Sequence, residues 1–293
     1  MIPYIELKVL LEIGTVEVYT FGTLVGLAIV MGLYIVAHRA RQLHLDVETA
    51  EHMHYWVVGL GLLFGHIFTV LFYEPGRLSR EGPLVLLKLW DGMSSMGGIV
   101  GGLAAAYVLL RVVKGVRMAP YLDAYCYAFT FSWALARLGC TLVHDHPGAL
   151  SDFFMAVQYP CVDDPSQVCA RHDLGLYEFL AFSALSVFFY LTRFKPRFPG
   201  FYVLSWGLVM GPLRFAADFL RIDPTAGVGG DQRYAGLTPA QYAIVPLFLL
   251  SIYAFLKLRG TGELLIPDPN PPAIKEAPAK AATGGKKRKK KKK

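Results

Sequence analysis

Charge is scarce along this chain, and outside its last eight residues there is no excess of positive charge. Positions 286–293 are all Lys or Arg, and without those eight cations the formal net charge of +7 becomes −1. A nucleic-acid-binding surface therefore has no support in the body of the protein. The basic run reads as a solvated tail, with attraction to an anionic lipid surface as the functional alternative. A repeat of fixed period is also missing, which removes the inverted-repeat transporter pattern. No cleavable leader is expected, because 1–18 carries Glu6, Glu12 and Glu17 where a basic stretch and a short apolar run would be needed. Cysteine is confined to positions 126, 140, 161 and 169. Cys161 and Cys169 share one polar connection, which leaves a local bridge open, and Cys126 reads as a small buried apolar residue. What the chain does have is apolar surface. Hydrophobic residues make up 54% of its 293 positions and charged ones 17%, with a mean hydropathy of +0.42. That balance excludes an ordinary soluble domain and indicates a polytopic membrane protein.

A bilayer core takes about 20 mostly apolar residues per helix. Seven stretches qualify, at about 19–37, 53–73, 95–113, 121–143, 176–194, 200–220 and 239–258. The expected architecture is an all-α polytopic membrane protein with seven transmembrane helices. It divides into an N-terminal segment over 1–18, a helical body over 19–259 with a long connection at about 144–175, and a disordered Pro-rich and Lys-rich tail over 260–293. Lys and Arg near span ends favour the cytoplasm. Arg39 and Arg41 follow the first span, Arg111, Lys114 and Arg117 the third, Arg193, Lys195 and Arg197 the fifth, and Lys257 and Arg259 the seventh. The N-terminus is thus expected in the periplasm and the C-terminus in the cytoplasm.

Two spans carry ionised groups that need a reason to be there. In Ala136-Arg137-Leu138-Gly139-Cys140 an arginine interrupts an apolar helix, at a cost of roughly 3 kcal/mol on insertion scales. The stretch runs on into His144-Asp145-His146. In the sixth span Arg214, Asp218 and Arg221 fall at i, i+4 and i+7, on one helical stripe. One reading of the stripe is an ion-pair network that fixes packing. The other is an anion site, because a guanidinium fork grips phosphate at two points. Arg137, in the same half of the membrane, favours the second reading. With His144, Asp145 and His146 alongside, the set suggests a phospholipid head-group site with a titratable group beside it. Neighbouring loop residues supply too few ligands for a convincing metal centre, so no metal and no cofactor is expected. Gly97, Gly98, Gly101 and Gly102 open the third span. Close helix approach is their commoner role, with backbone N–H groups facing phosphate as the alternative.

The order of these landmarks resembles the prolipoprotein diacylglyceryl transferase family over about residues 13–258. Trp90-Asp91-Gly92-Met93-Ser94 precedes Gly97-Gly98. Arg137-Leu138-Gly139 comes next, then Arg171-His172 with Leu176-Tyr177-Glu178, then Arg214 with Asp218 and Arg221, then Gln241. The resemblance implies an enzyme of the bacterial inner membrane with phosphatidylglycerol and a pre-lipoprotein lipobox peptide as substrates. It would transfer the diacylglyceryl group to the lipobox cysteine thiol, forming a thioether and releasing glycerol phosphate. Arg137 matches the family's signature arginine, Gly148 the glycine after it and Arg214 the late active-site arginine. Arg171, Arg221, Gly97, Gly98 and Gly148 complete the expected substrate-binding set. Departures are visible too. Met96 stands where the family has a histidine before Gly-Gly, Cys140 and Val143 where it has asparagines, Asp145 and Asp218 where it has glutamates, Phe21 where it has a tyrosine, and His66 where it has an arginine. The incoming thiol must lose its proton, and methionine cannot take it. The expected acid–base group is therefore His144 or His146, with His144 and Asp145 the first choice and Asp218 partnering Arg214. The alternative is a relative that binds anionic phospholipid or a lipoprotein signal segment without the chemistry.

Overall fold

The computed structural model describes residues 1–89, 92–161, 163–222 and 232–272. Expectations placed on Trp90 and Asp91, on the middle of the 222–238 connection and on the lysine run lie outside the described residues. The chain starts with β1 (Ile2–Pro3) and a hairpin of β2 (Val9–Ile13) and β3 (Val16–Tyr19). Then come α1 (Thr20–Gln42), α2 (Val47–Phe68), a short α3 (Pro75–Glu81), α4 (Ser95–Tyr107) and α5 (Met118–Val143). Strands β4 (Pro147–Leu150), β5 (Val157–Pro160) and β6 (Val168–Asp173) lead to α6 (Leu174–Leu191), α7 (Phe201–Ala217) and α8 (Pro239–Leu258). A wider helical turn carries α2 on to Tyr73 and α4 on to Val113, and a tighter one carries α7 on to Leu220.

Among the described residues, seven helices are long and apolar enough to cross a membrane, and they coincide with the seven expected spans. Their ends differ, because caps and ion pairs set helix termini where hydropathy sees only charge. The second helix starts at Val47, not near 53, since the Asp46 side chain accepts the Thr49 N–H and caps it. The first runs on to Gln42 because Arg39 is buried, not solvated. Its guanidinium donates to Gln42, to the Arg193 carbonyl and to the Tyr202 hydroxyl, and lies over the Tyr127 and Tyr202 rings.

Two expectations are corrected outside the spans. The protein is not purely helical: β1, β5, β6 and β4 form a four-stranded sheet in that order, joining the segment before α1 to the connection after α5. These strands are too short to show a periodic pattern, and a pairing such as that of Ile2 with Val157 is invisible locally. Cys161 and Cys169 are bridged, closing the β5–β6 hairpin. Replacing both by serine should cost about 2.5 kcal/mol of stability, the loop-entropy value for so short a ring, checked by calorimetry with and without reductant. The tail expectation also fails at its start. Glu263 pairs with Arg117 through two contacts, Leu265 exchanges backbone hydrogen bonds with Arg197, and the Asp268 N–H donates to the Gln42 carbonyl. Backbone pairing, which composition does not register, straps 263–268 across the bundle end opposite the sheet.

Between the ends, α5 lies along α1 and α6, α2 along α4, and α7 along α8. Asp123 of α5 accepts the N–H groups of Gly200, Tyr202 and Val203, so a buried carboxylate satisfies the otherwise open start of α7. The glycines of α4 let α2 come close. A Cβ at Gly97 would lie 2.3 Å from Phe68 Cβ, and one at Gly101 would lie 2.4 Å from Phe64 Cβ. Gly97→Ala should therefore force the two helices apart and lower stability by about 1–3 kcal/mol, read as a fall in melting temperature in detergent.

Candidate functional site

A cavity of about 590 Å³, open on one side, is lined by α1, α2, α4, α5, α7 and α8. Its apolar portion is formed by residues such as Val25, Ile29, Val57, Leu62, Ile99, Phe129 and Leu247. At the sheet end its lining turns polar, with Ser94, Ser95, Arg137, Cys140, His146, Arg214 and Arg221. Such a space suits a molecule with a charged head and a greasy body.

The arginines are brought together by a carboxylate that the stripe argument did not include. Glu178 of α6, which is 1% exposed, sits between α5 and α7. Its Oε2 lies 2.7 Å from Arg137 Nε and its Oε1 accepts from Arg214 Nη1 at 3.2 Å. Asp218, fully buried at the end of α7, holds Arg214 Nη2 at 3.3 Å and Arg221 Nε at 2.8 Å, and accepts the Thr238 hydroxyl. Asp218 thus meets both arginines, although Arg221 lies past the helix end in extended conformation and not on the expected helical stripe. Three guanidinium groups converge at the polar end of the cavity, a set of fixed donors that suits an anion. The signal for Glu178 was available in the sequence. A lone acid within Leu174–Leu191 raises the same cost question as Arg137 does.

The His-Asp-His run divides into two roles. His144 is not among the cavity-lining residues. It ends α5 in a left-handed conformation with φ 52°, its Nδ1 is 2.7 Å from Asp173 Oδ2, and Tyr4 stacks on its ring. Asp173 also accepts the Tyr159 hydroxyl and caps α6 through the Leu176 N–H. Burial, aided by Glu6, pushes the Tyr4 phenol up to about 12, so it packs as a neutral ring. Burial and then the neighbouring Asp173 push the Tyr159 phenol upward, keeping it a neutral donor. His144 therefore ties the sheet to α5 and α6. His146 lines the cavity, with Nδ1 on Asp145 Oδ1 and Nε2 3.5 Å from Arg137 Nη1. Which ring nitrogen carries the proton depends on the tautomer.

The remaining expected site residues separate in the same way. Gly98 lines the cavity, whereas Gly97 is spent on packing against α2. Gly148 forms a backbone bridge with Arg221, and its carbonyl accepts from Arg171 Nη1 at 3.2 Å. A Cβ at Gly148 would lie 2.6 Å from the Leu220 carbonyl oxygen. Gly148 and Arg171 therefore shape the wall that holds Arg221 and are not themselves cavity-lining. Met96 is fully buried in the core and does not line the cavity. His66, also buried, places its ring nitrogens 3.0 Å from the Gly92 carbonyl and 2.8 Å from that of Val85, securing the connection after α3.

Among the described residues, Cys140, Asp145 and His146 bring a thiol, a carboxylate oxygen and a ring nitrogen within 4.8 Å of one another. Arg137 Nη1 lies 3.5 Å from both the Cys140 sulfur and His146 Nε2. A fixed cation thus already stands where a metal would have to sit, so this trio does not make a convincing metal centre.

A family model described as prolipoprotein diacylglyceryl transferase matches residues 8–257. A protein of Chromohalobacter salexigens is 27% identical over 257 residues, covering 86% of this chain and 92% of its own length. One from Polynucleobacter asymbioticus is 28% identical over 256 residues, covering 83% and 92%. Another, from Erythrobacter litoralis, reaches 32% over 218 residues, covering 70% and 74%. All three are named phosphatidylglycerol–prolipoprotein diacylglyceryl transferase.

Proposed function

Since the chain belongs to the prolipoprotein diacylglyceryl transferase family, we propose that it moves the diacylglyceryl group of phosphatidylglycerol onto the lipobox cysteine of a pre-lipoprotein. The observation that carries this reading is the Arg137–Glu178–Arg214 bridge at the polar end of an apolar cavity. The lipid phosphate sits at the guanidinium groups of Arg137, Arg214 and Arg221, and its chains extend into the apolar portion. Glu178 and Asp218 hold the guanidinium forks in place before the lipid arrives, so little reorganisation is left for the reaction itself.

The lipobox thiol gives its proton to His146, which Asp145 orients. The resulting thiolate attacks the glycerol carbon that bears the phosphoester oxygen. A carbon–sulfur bond forms, the carbon–oxygen bond breaks, and glycerol phosphate departs with the electron pair, its charge met by the arginines. Assigning the proton to His146 and not to His144 follows from which imidazole lines the cavity. The basic residues after the odd-numbered spans support a cytoplasmic strap and C-terminus. On that reading 1–18, the sheet and the site face the periplasm, in a protein of the bacterial inner membrane.

The test uses phosphatidylglycerol labelled in its free glycerol. Labelled glycerol phosphate should be released with a lipobox peptide and not with its cysteine-to-serine variant. Release that ignores the peptide thiol would point to a phospholipase, and the transfer reading would fall.

A further inference from the structure

The connection from β4 to β5 displays apolar side chains that the core does not use. It runs through Ser151-Asp152-Phe153-Phe154-Met155. The Phe153 N–H donates to the Ser151 hydroxyl and the Ala156 N–H to the Phe153 carbonyl, closing a tight turn. At this turn Phe154 is 71% exposed and Phe153 43%, and Leu150 at the end of β4 is 64% exposed. The two phenylalanine rings meet with centroids 4.5 Å apart. Single exposed apolar residues are ordinary, but a contiguous group marks a surface that meets something.

Its neighbours identify the partner. Phe153 lies against the Tyr177 ring of α6, at right angles to it with centroids 6.3 Å apart, and beside the His172 ring at 6.1 Å. Tyr177 heads a helical stripe with Leu180, Ala184, Phe188 and Leu191, at i, i+3, i+7, i+11 and i+14. Those last four are exposed, while Glu178, Phe182, Leu185 and Phe189 on the other face are buried. In a helix long and apolar enough to cross a membrane, such a stripe faces lipid. The 18 residues of α6 span about 27 Å, close to the roughly 30 Å of a hydrocarbon core, so its first turn lies at the hydrocarbon boundary. The phenylalanines prolong the lipid face of α6 past that turn, at the level where aromatic rings gather in membrane proteins. This unbroken continuity with a lipid-facing stripe favours lipid over a protein partner. We propose that Leu150, Phe153 and Phe154 form an interfacial anchor seated in the head-group layer of the membrane at the sheet end. Gly148, two residues before Leu150, bridges Arg221 of the cavity wall, so the anchor sets the height of that wall against the lipid head groups. The anchor does not depend on the transferase reading.

The experiment attaches a nitroxide to the full chain through Phe154→Cys or Leu150→Cys, and through Ser166→Cys in the exposed β5–β6 connection as control. Cys126 and Cys140 are buried and the other two cysteines are bridged, so labelling falls on the introduced thiol. Each protein is reconstituted in vesicles of phosphatidylcholine and phosphatidylglycerol and exposed to oxygen, which concentrates in lipid, or to a water-soluble nickel chelate. Relaxation by oxygen relative to the chelate should be several-fold greater at 154 and 150 than at 166. Labels at 154 and 150 that the chelate reaches as freely as the one at 166 overturn the proposal. So do labels that are immobilised and shielded from both reagents, the mark of a protein partner. The substituted side chains are exposed, so no core packing is lost, and the two anchor positions give independent readings.

Discussion

Arg137→Lys should lower kcat/KM for phosphatidylglycerol by about 10²- to 10³-fold, the usual consequence of removing one donor from a charge-stabilising site. Arg137 contacts Glu178 through Nε while Nη1 approaches Cys140 and His146. One ammonium cannot hold Glu178 and also offer a second prong to phosphate. Arg214→Lys should behave alike, because Arg214 spans Glu178 and Asp218 with separate nitrogens. Both variants keep the positive charge, so the protein should still fold. Arg137→Ala would instead remove a partner from a buried pair, at about 3–5 kcal/mol, and would be read chiefly as lost stability. Full activity in the lysine variants, measured as product formation beside a thermal melt, would reduce both arginines to packing devices.

His146→Ala should cost about 10²- to 10⁴-fold in transfer, the range for losing a general base, with little change in melting temperature. His144→Ala should show the opposite pattern. It loses the contact with Asp173 and the stacking on Tyr4, so the sheet end should loosen while the rate per folded molecule stays near wild type. Paired melts and product assays separate the two histidines. If His144→Ala abolished product in a well-folded protein and His146→Ala did not, the acid–base role would belong to His144.

How far the sequence reaches here depends on the range of the forces involved. Seven spans are legible because each is a local run of apolar residues, and Arg137, Arg214 and Asp218 are legible because charge in such a run stands out. The division of labour between His144 and His146 is not. Two positions apart in sequence, they are parted by the left-handed turn at His144 itself, which ends α5 and redirects the chain so that one imidazole meets Asp173 and the other the cavity. Glu178 appears in the sequence only as a landmark. That it joins two arginines from different helices is a property of how α5, α6 and α7 pack. The sheet and the 263–268 strap escape for a related reason, since both depend on backbone pairing with distant segments.

The most direct measurement is mass spectrometry of a lipobox peptide incubated with the purified protein in phosphatidylglycerol-containing micelles. The account predicts a peptide heavier by one diacylglyceryl group, attached at the cysteine sulfur. An unchanged peptide, beside an active family member run as control, would contradict it and leave a lipid-binding relative that keeps the arginine pocket without the chemistry.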